Sequence, residues 1–482
     1  MAKVKKAWFC RECGNESPKW MGKCPACGEW NTMVEEVINK LPDNAVTSQS
    51  RAFINATNPK PQPLSEIDSG NESRISLGNS ELDRVLGGGI VEGSIILIGG
   101  EPGIGKSTLS LQIPLLCNHL KTLYVSGEES SRQIKLRADR LLNGIVKNTQ
   151  HNGDDPNSDS PDGTTGSHNA AGGNNCMVLS ETLLENILNR AREEKPQLLI
   201  IDSIQTIYSQ NIESSAGSVS QVRECAAALL RYAKESNTPV IIIGHITKDG
   251  SIAGPKILEH IVDVVLQFEG DTRHSYRILR SIKNRFGSTA ELAVYEMTSD
   301  GLQEILNPSE MFIPMHDNNL SGTAVAAMLD GTRPFLIEIQ ALVSSAAYGT
   351  PQRSATGFDV RRMNMLLAVL EKRVGFKLAQ KDVFLNMAGG LKVTDPACDL
   401  AVVASILSSN FDVIIPNDIA FAAEIGLSGE IRPVSQADKR IAEAQKLGFR
   451  QIIVSAFSKV PQTTGIKVIQ ISTVQELVKA IF

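Results

Sequence analysis

The densest chemistry in the chain lies at Gly100-Glu101-Pro102-Gly103-Ile104-Gly105-Lys106-Ser107, which fills the pattern G-x-x-x-x-G-K-[ST]. Its glycines let the backbone turn so that successive N–H groups, and the start of the helix that Thr108 continues, point at one anion. The Lys106 ammonium can then reach β- and γ-phosphates, and the Ser107 hydroxyl can ligate Mg²⁺. The apolar run Ile95 to Ile98 before the loop predicts the order strand, loop, helix. These residues predict a site for ATP or a related triphosphate.

Further polar groups stand at the ends of apolar runs. Leu198-Leu-Ile-Ile-Asp202 ends in a carboxylate suited to holding Mg²⁺ opposite the phosphate loop, although an acid there also serves as a simple strand cap. Tyr124-Val-Ser-Gly-Glu128-Glu129 sets two carboxylates past another strand; one can polarise an attacking water while the other favours the next helix start. His245 follows the strand Val240 to Gly244, where a side chain could sense the γ-phosphate or serve only structure.

At the N-terminus, Cys10-x-x-Cys13-Gly and Cys24-x-x-Cys27-Gly place four thiols on two tight turns, a spacing that closes a tetrahedral S₄ site. Zn²⁺ suits such a site; a dithiol redox pair is the alternative, without the βαβ context it needs. Trp8, Trp20 and Trp30 all fall in this module and are expected to form a miniature core around the metal, base stacking being the other use of an indole.

The elements that must position these groups can be read more coarsely. With 482 residues the chain exceeds one core, so two or three domains are expected. Its 48 basic and 53 acidic residues give a net charge of −5, which excludes a uniformly basic nucleic-acid coat. The sequence shows no apolar run long enough for a membrane span and no apolar leader ahead of a cleavage site, so a soluble, cytoplasmic protein is expected.

The division expected is a zinc module over 1–33, a linker over 34–66 punctuated by Pro42, Pro59, Pro61 and Pro63, an α/β nucleotide-binding core over 67–306, and a second α/β domain over 307–482. Strands at Thr122 to Ser126, Cys176 to Leu179, Leu198 to Asp202 and Val240 to Gly244 alternate with helical patterns, predicting a buried, mostly parallel sheet. Leu77 to Gly89 reads as a short helix ended by glycines, Pro114 is expected to kink the helix after the loop, and about 148–175 reads as a disordered surface insertion.

The stretches GEPGIGKST, YVSGEES, LLIIDSIQT, GHITKDG and Lys283-Asn284-Arg285-Phe286-Gly287, behind the paired C-x-x-C turns, resemble the bacterial RadA/Sms family of recombination and repair proteins. The resemblance implies a zinc motif, a RecA-like ATPase core and a Lon-protease-like C-terminal domain. It further implies a DNA-dependent ATPase on single-stranded or branched DNA that drives branch migration beside RecA, built as a homo-oligomeric, hexameric ring. It assigns Lys106 and Ser107 to ATP and Mg²⁺, Asp202 to Mg²⁺, Glu128 to activation of water with Glu129 as competitor, and His245 to γ-phosphate sensing.

Lys283 and Arg285 alternate with Asn284, so on an extended segment they project to one side. They could reach a neighbouring subunit's nucleotide, line a DNA channel, or be an exposed basic strand end.

In the C-terminal region, strands at Phe335 to Ile339, Val383 to Met387 and Gln451 to Val454 alternate with helices at Val360 to Arg373, Ala397 to Ser408 and Asp438 to Leu447. By the resemblance, the protease serine position is occupied by Ala397 and the lysine position falls near Asp438, with Lys439 turned away; Cys398 is expected to pack in the core. An inactive protease-like domain is therefore expected, with Arg353, Arg361, Arg362, Lys372 and Arg373 as candidate DNA contacts or a solvated face. The alternatives to a DNA motor are a Lon-like peptidase and a DNA-binding scaffold whose shape ATP sets.

Overall fold

The computed structural model describes residues 5–10, 15–38, 73–151, 175–245, 257–270, 276–313, 320–346, 351–461 and 465–482. They divide into two compact units, Met1–Ile305 and Leu306–Phe482.

In the first unit, β1 (Lys5–Cys10), β2 (Glu16–Ser17) and β3 (Met33–Ile38) form a small antiparallel sheet with β1 in the middle. Because β3 pairs with β1 out to Ile38, residues 34–38 belong to the N-terminal module and not to the linker expected from 34 onward. The linker prolines lie outside the described residues.

Next come β4 (Arg74–Ile75) and β5 (Ile90–Val91), which pair across the Ser80–Leu86 helix. Asn79 caps this helix by accepting from Leu82 N–H, and Gly87, at φ 90°, ends it in the left-handed conformation.

Among the described residues the main sheet has nine strands, β6 (Ile95–Gly100), β7 (Thr122–Ser126), β8 (Cys176–Ser180), β9 (Leu198–Asp202), β10 (Val240–His245), β11 (Val264–Glu269), β12 (Tyr276–Asn284), β13 (Leu292–Thr298) and β14 (Gly301–Glu304). Their order is β14-β13-β12-β11-β6-β10-β9-β7-β8, parallel from β11 to β8 and antiparallel from β11 to β14.

The apolar runs form strands because both faces are covered. Ile96, Ile98, Leu198, Ile200, Ile241 and Ile243 enter one core, while Ile95, Leu97, Leu199, Ile201, Val240 and Ile242 enter the other. Helices Lys106–Leu116 and Ser131–His151 lie on the first face, and Leu184–Glu194 and Val219–Ser236 on the second. Pro114 sits in the last turn of its helix, which stops at Leu116, so it acts near a terminus and not in the interior as expected.

The described residues of the second unit form a seven-stranded sheet of β15 (Thr323–Asp330), β16 (Arg333–Ser345), β17 (Arg353–Thr356), β18 (Lys381–Met387), β19 (Ile419–Ala422), then β22 (Gln451–Ser455) and β23 (Lys467–Ile471), in the order β17-β18-β16-β15-β19-β22-β23. A ribbon of β20 (Glu424–Ile425) and β21 (Ile431–Arg432) interrupts the series.

The Asp399–Phe411 helix is buried on every side from Asp399 to Ser408, as a helix apolar all round must be. It begins after a 3₁₀ turn at Pro396–Cys398, and the helix expected over Val360 to Arg373 is α only to Val369, continuing as a π turn to Val374. Among the described residues no helix is long and apolar enough to cross a membrane.

Candidate functional site: a phosphate loop with two carboxylates

The central strand β6 delivers the glycine-rich loop to the carboxyl edge of the sheet, where ligands of open α/β sheets bind. Gly100 is tightly enclosed, since a Cβ there would stand 2.9 Å from Ile104 Cγ2 and from Phe268 Cβ. Gly105, at φ 118°, caps the Lys106–Leu116 helix in a conformation that an L side chain rarely adopts. Glu101, Pro102 and Gly103 are exposed; Ser107 and Thr108 are half-buried at the start of the helix.

Lys106 is 4% exposed and donates from Nζ to the carbonyls of Gly100 (2.7 Å) and Glu101 (2.9 Å), so its charge is held at the loop. Burial pushes its amine down to about 8, against the upward pull of Asp202, Glu128 and Glu101.

The two carboxylates meet it from neighbouring strands. Asp202 ends β9 in register with Ser126 at the end of β7, and Tyr124 Oη donates to Asp202 Oδ2 at 2.6 Å. Burial, and then the negative charge of Asp202, raise the Tyr124 phenol well above its usual range, so it remains a donor.

Ser203 Oγ donates to Glu128 Oε1 at 2.6 Å, fixing Glu128 beside the end of β9. Glu129 instead pairs with Arg137 of the following helix. Ser126 Oγ accepts from the N–H groups of both, at 3.4 and 3.0 Å, shaping the turn that sends the neighbours apart. Gly127 is required in that turn because a Cβ would fall 2.0 Å from Thr206 Oγ1. His245 ends β10 opposite Gly100; its side chain and residues 246–250 lie outside the described set.

Lys283 and Arg285 turn to the same side, both toward the segment from Glu259 to Asp263. Lys283 Nζ donates to the carbonyls of Glu259 (2.6 Å) and Val262 (2.7 Å), and its amine is lowered first by burial and then by Arg285. Arg285 pairs with Asp263 Oδ1 at 3.2 Å, and Asp263 also receives Lys234 at 3.0 Å and Ile95 N–H at 3.2 Å. Asn284 faces the other way and donates to Val85 and Leu86 carbonyls at 3.3 Å.

In the N-terminal module the thiols of Cys10, Cys24 and Cys27 lie within 4.8 Å of one another, with Cys10 and Cys27 Sγ 3.6 Å apart. That separation is close to the ~3.8 Å edge of a tetrahedron of sulfurs about zinc, so the donor set fits the metal. Cys13, expected as the fourth ligand, lies outside the described residues.

The expected tryptophan core is corrected: only Trp8 packs with Cys10, Cys24 and Met33, whereas Trp20 and Trp30 are 54% and 68% exposed. Cys10, Cys24 and Met33, with Trp8 against them, make up the buried cluster of this small sheet.

In the second unit Ala397 is buried, Lys439 is exposed, and the Cys398 thiol is lifted well above its ordinary range by burial. The cation that reaches this place is Arg440, which sequence reasoning missed. It is 1% exposed and donates to Asp395 Oδ2 at 2.6 Å and to Ala327 O at 2.8 Å, while Asp395 Oδ1 accepts from Ala397 N–H at 3.0 Å. Arg362, a candidate DNA contact, is committed to the buried Asp399, with Nε donating to Oδ1 at 3.1 Å.

Comparison with known proteins agrees with this organisation. Residues 75–305 match the KaiC ATPase family model, residues 8–35 the rubredoxin metal binding domain, and residues 348–458 the ChlI subunit of Mg-chelatase. A KaiC-like protein of Pyrococcus horikoshii (19% identity, TM-score 0.36) and the RadB recombinase (20%, 0.35) each cover 48% of this chain and 99% of their own. DNA repair protein RadA of Bacillus subtilis is 48% identical, covering 99% of both chains, and that of Aquifex aeolicus is 45% identical, covering 100% of both. Identity of this extent, spanning zinc module, RecA-like ATP-hydrolysing core and Lon-like region together, places the chain in the family of bacterial DNA repair proteins RadA.

Proposed function

We propose that this chain is a DNA-dependent ATPase that processes recombination intermediates in the cytoplasm, binding single-stranded or branched DNA and promoting branch migration of RecA-mediated strand exchange from a homo-oligomeric, hexameric ring. The observation that carries it is the convergence of Lys106, Asp202 and Glu128 at one sheet edge in a chain nearly half identical, end to end, to DNA repair proteins.

Residues 100–108 form the ATP loop, with His245 beside it on β10. Ser107 and Asp202 would hold Mg²⁺, which when bound supplies charge neutralisation on the phosphates. Glu128 is favoured over Glu129 as the group that polarises water, because Ser203 holds it beside Asp202 whereas Arg137 takes Glu129. Lys283 and Arg285 act on a neighbour's γ-phosphate, held ready by contacts to 259–263.

A peptidase is disfavoured by chemistry. Ala397 has no nucleophilic atom, and the buried cation near it is the guanidinium of Arg440, not the lysine amine that a Ser-Lys dyad uses as its base. The test is ATP turnover with and without single-stranded DNA, for the wild type and Lys106→Ala. DNA-stimulated turnover that the substitution abolishes supports the motor; DNA binding with no stimulation means a scaffold, and peptide cleavage independent of Lys106 means a peptidase.

A further inference from the structure

Trp20 and Trp30 are out of place as structural residues. A module whose buried apolar cluster is Cys10, Cys24 and Met33, with Trp8 against it, leaves two of its largest apolar side chains in solvent.

Their placement is not random. A Cβ at Gly22 would lie 3.5 Å from Trp20 Cη2 and 3.8 Å from Trp30 Cζ3, so both indoles flank one glycine on one face. The backbone beneath is fixed: Lys23 bridges Trp30, Asn31 N–H donates to Gly22 O at 2.7 Å, and Cys24 N–H donates to Glu29 O at 2.9 Å. The turn so closed carries Cys24 and Cys27, which ties the platform to the metal site.

Charge identifies the occupant. Lys23 Nζ stands 5.7 Å from the Trp30 ring centroid, Lys19 beside Trp20 is exposed, and residues 1–33 carry Lys3, Lys5, Lys6, Arg11, Lys19 and Lys23 against Glu12, Glu16 and Glu29. Aromatic faces next to cations take unpaired bases on the rings and phosphates on the ammonium groups, with no need for a particular sequence.

We infer that Trp20 and Trp30, with Lys23, form a stacking platform for single-stranded DNA on the zinc module, a binding surface apart from the ATPase core. The inference rests on the single-strand binding proposed above, and its test separates the two. The chain's 3 tryptophans all lie in this module, so intrinsic tryptophan emission of the full-length protein reports on it alone.

Zinc-loaded full-length protein is titrated against fluorescein-labelled oligo(dT), following anisotropy for binding anywhere and tryptophan emission for the platform. Quenching in step with anisotropy is expected in the wild type. Binding should weaken at least about tenfold in Trp20→Ala/Trp30→Ala and be largely kept in Trp20→Phe/Trp30→Phe, since each stacked base contributes substantially. Equal zinc content and an equal melting temperature of the ATPase core show that the variants are folded.

Anisotropy that rises without quenching, together with wild-type affinity in the double alanine variant, overturns the platform and leaves the DNA reading standing; the indoles then face a protein. No anisotropy change in any form overturns both.

Discussion

Tyr124 and Asp202, 78 positions apart, are joined by a 2.6 Å hydrogen bond from the buried phenol to Oδ2 of the carboxylate. The bond occupies one oxygen and fixes the plane of the group that would face Mg²⁺. In Tyr124→Phe the ring still fills its place and only the donor is lost. The magnesium concentration that half-saturates ATP turnover should rise about tenfold, the order expected for a bond to a charged acceptor, and excess magnesium should restore the rate. An unchanged magnesium dependence would show that Asp202 holds its orientation alone.

The lowered amine of Lys106 makes nucleotide binding depend on pH. Below about 8 the ammonium is already present. Above it the free protein carries a neutral amine that a triphosphate must re-protonate, so binding should take up to one proton and weaken by up to about tenfold per pH unit. Calorimetry at pH 7 and pH 9 in buffers of different ionisation enthalpy measures the uptake; equal proton uptake at both values would contradict the assignment. Lys106→Ala should lose both the pH dependence and hydrolysis.

Arg285→Ala should lower ATP turnover while leaving nucleotide binding near wild type. Asp263 retains Lys234 and the Ile95 N–H, so its buried charge is not orphaned. Mixing Arg285→Ala with Lys106→Ala protein should recover part of the activity at junctions where an intact loop meets an intact arginine. Mixed rings that gain nothing, while each variant still assembles, would assign Arg285 to DNA instead.

Cys24→Ala removes a buried thiol from the cluster with Cys10 and Cys27. Zinc content by atomic absorption should fall from about one per chain toward zero, with loss of the module's folding transition alone, because a structural metal stabilises the module that binds it. A wild-type protein without zinc would reject the site.

Arg440→Met leaves the Asp395 carboxylate buried without its cation. The second unit should lose roughly 3–5 kcal/mol of stability, the cost of breaking a buried pair from one side. Calorimetric unfolding that matches the wild type would mean that Leu329 and Ala397 N–H groups, at 2.6 and 3.0 Å, suffice for Asp395.

That Lys106, Asp202 and Glu128 meet at one edge of the sheet was legible in the sequence because the signals are local. The loop is a contiguous pattern, and Asp202 and Glu128 follow runs that only a strand covered on both faces explains. Partnerships across long separations were not legible. Nothing near Tyr124 announces Asp202, and Arg440 sits among Asp438, Lys439 and Glu443, where it reads as a solvated face until the fold brings Asp395, 45 positions earlier, against it. The tryptophans misled for a related reason: their number in so short a segment suggested a core, but only packing decides which indole is enclosed.

The position of β8 has a practical consequence. It is the outermost strand, separated from β6 by β7, β9 and β10, so it lies about 19 Å from the phosphate loop at the usual spacing between strands. The polar stretch 152–174 enters after His151 and rejoins the chain one residue before β8. Doubling the length of the chain that joins two elements costs only about 0.6 kcal/mol in closure entropy. A fluorescent reporter or affinity tag spliced between His151 and Asn175 therefore joins the chain next to the outermost strand, with β7, β9 and β10 standing between that strand and β6.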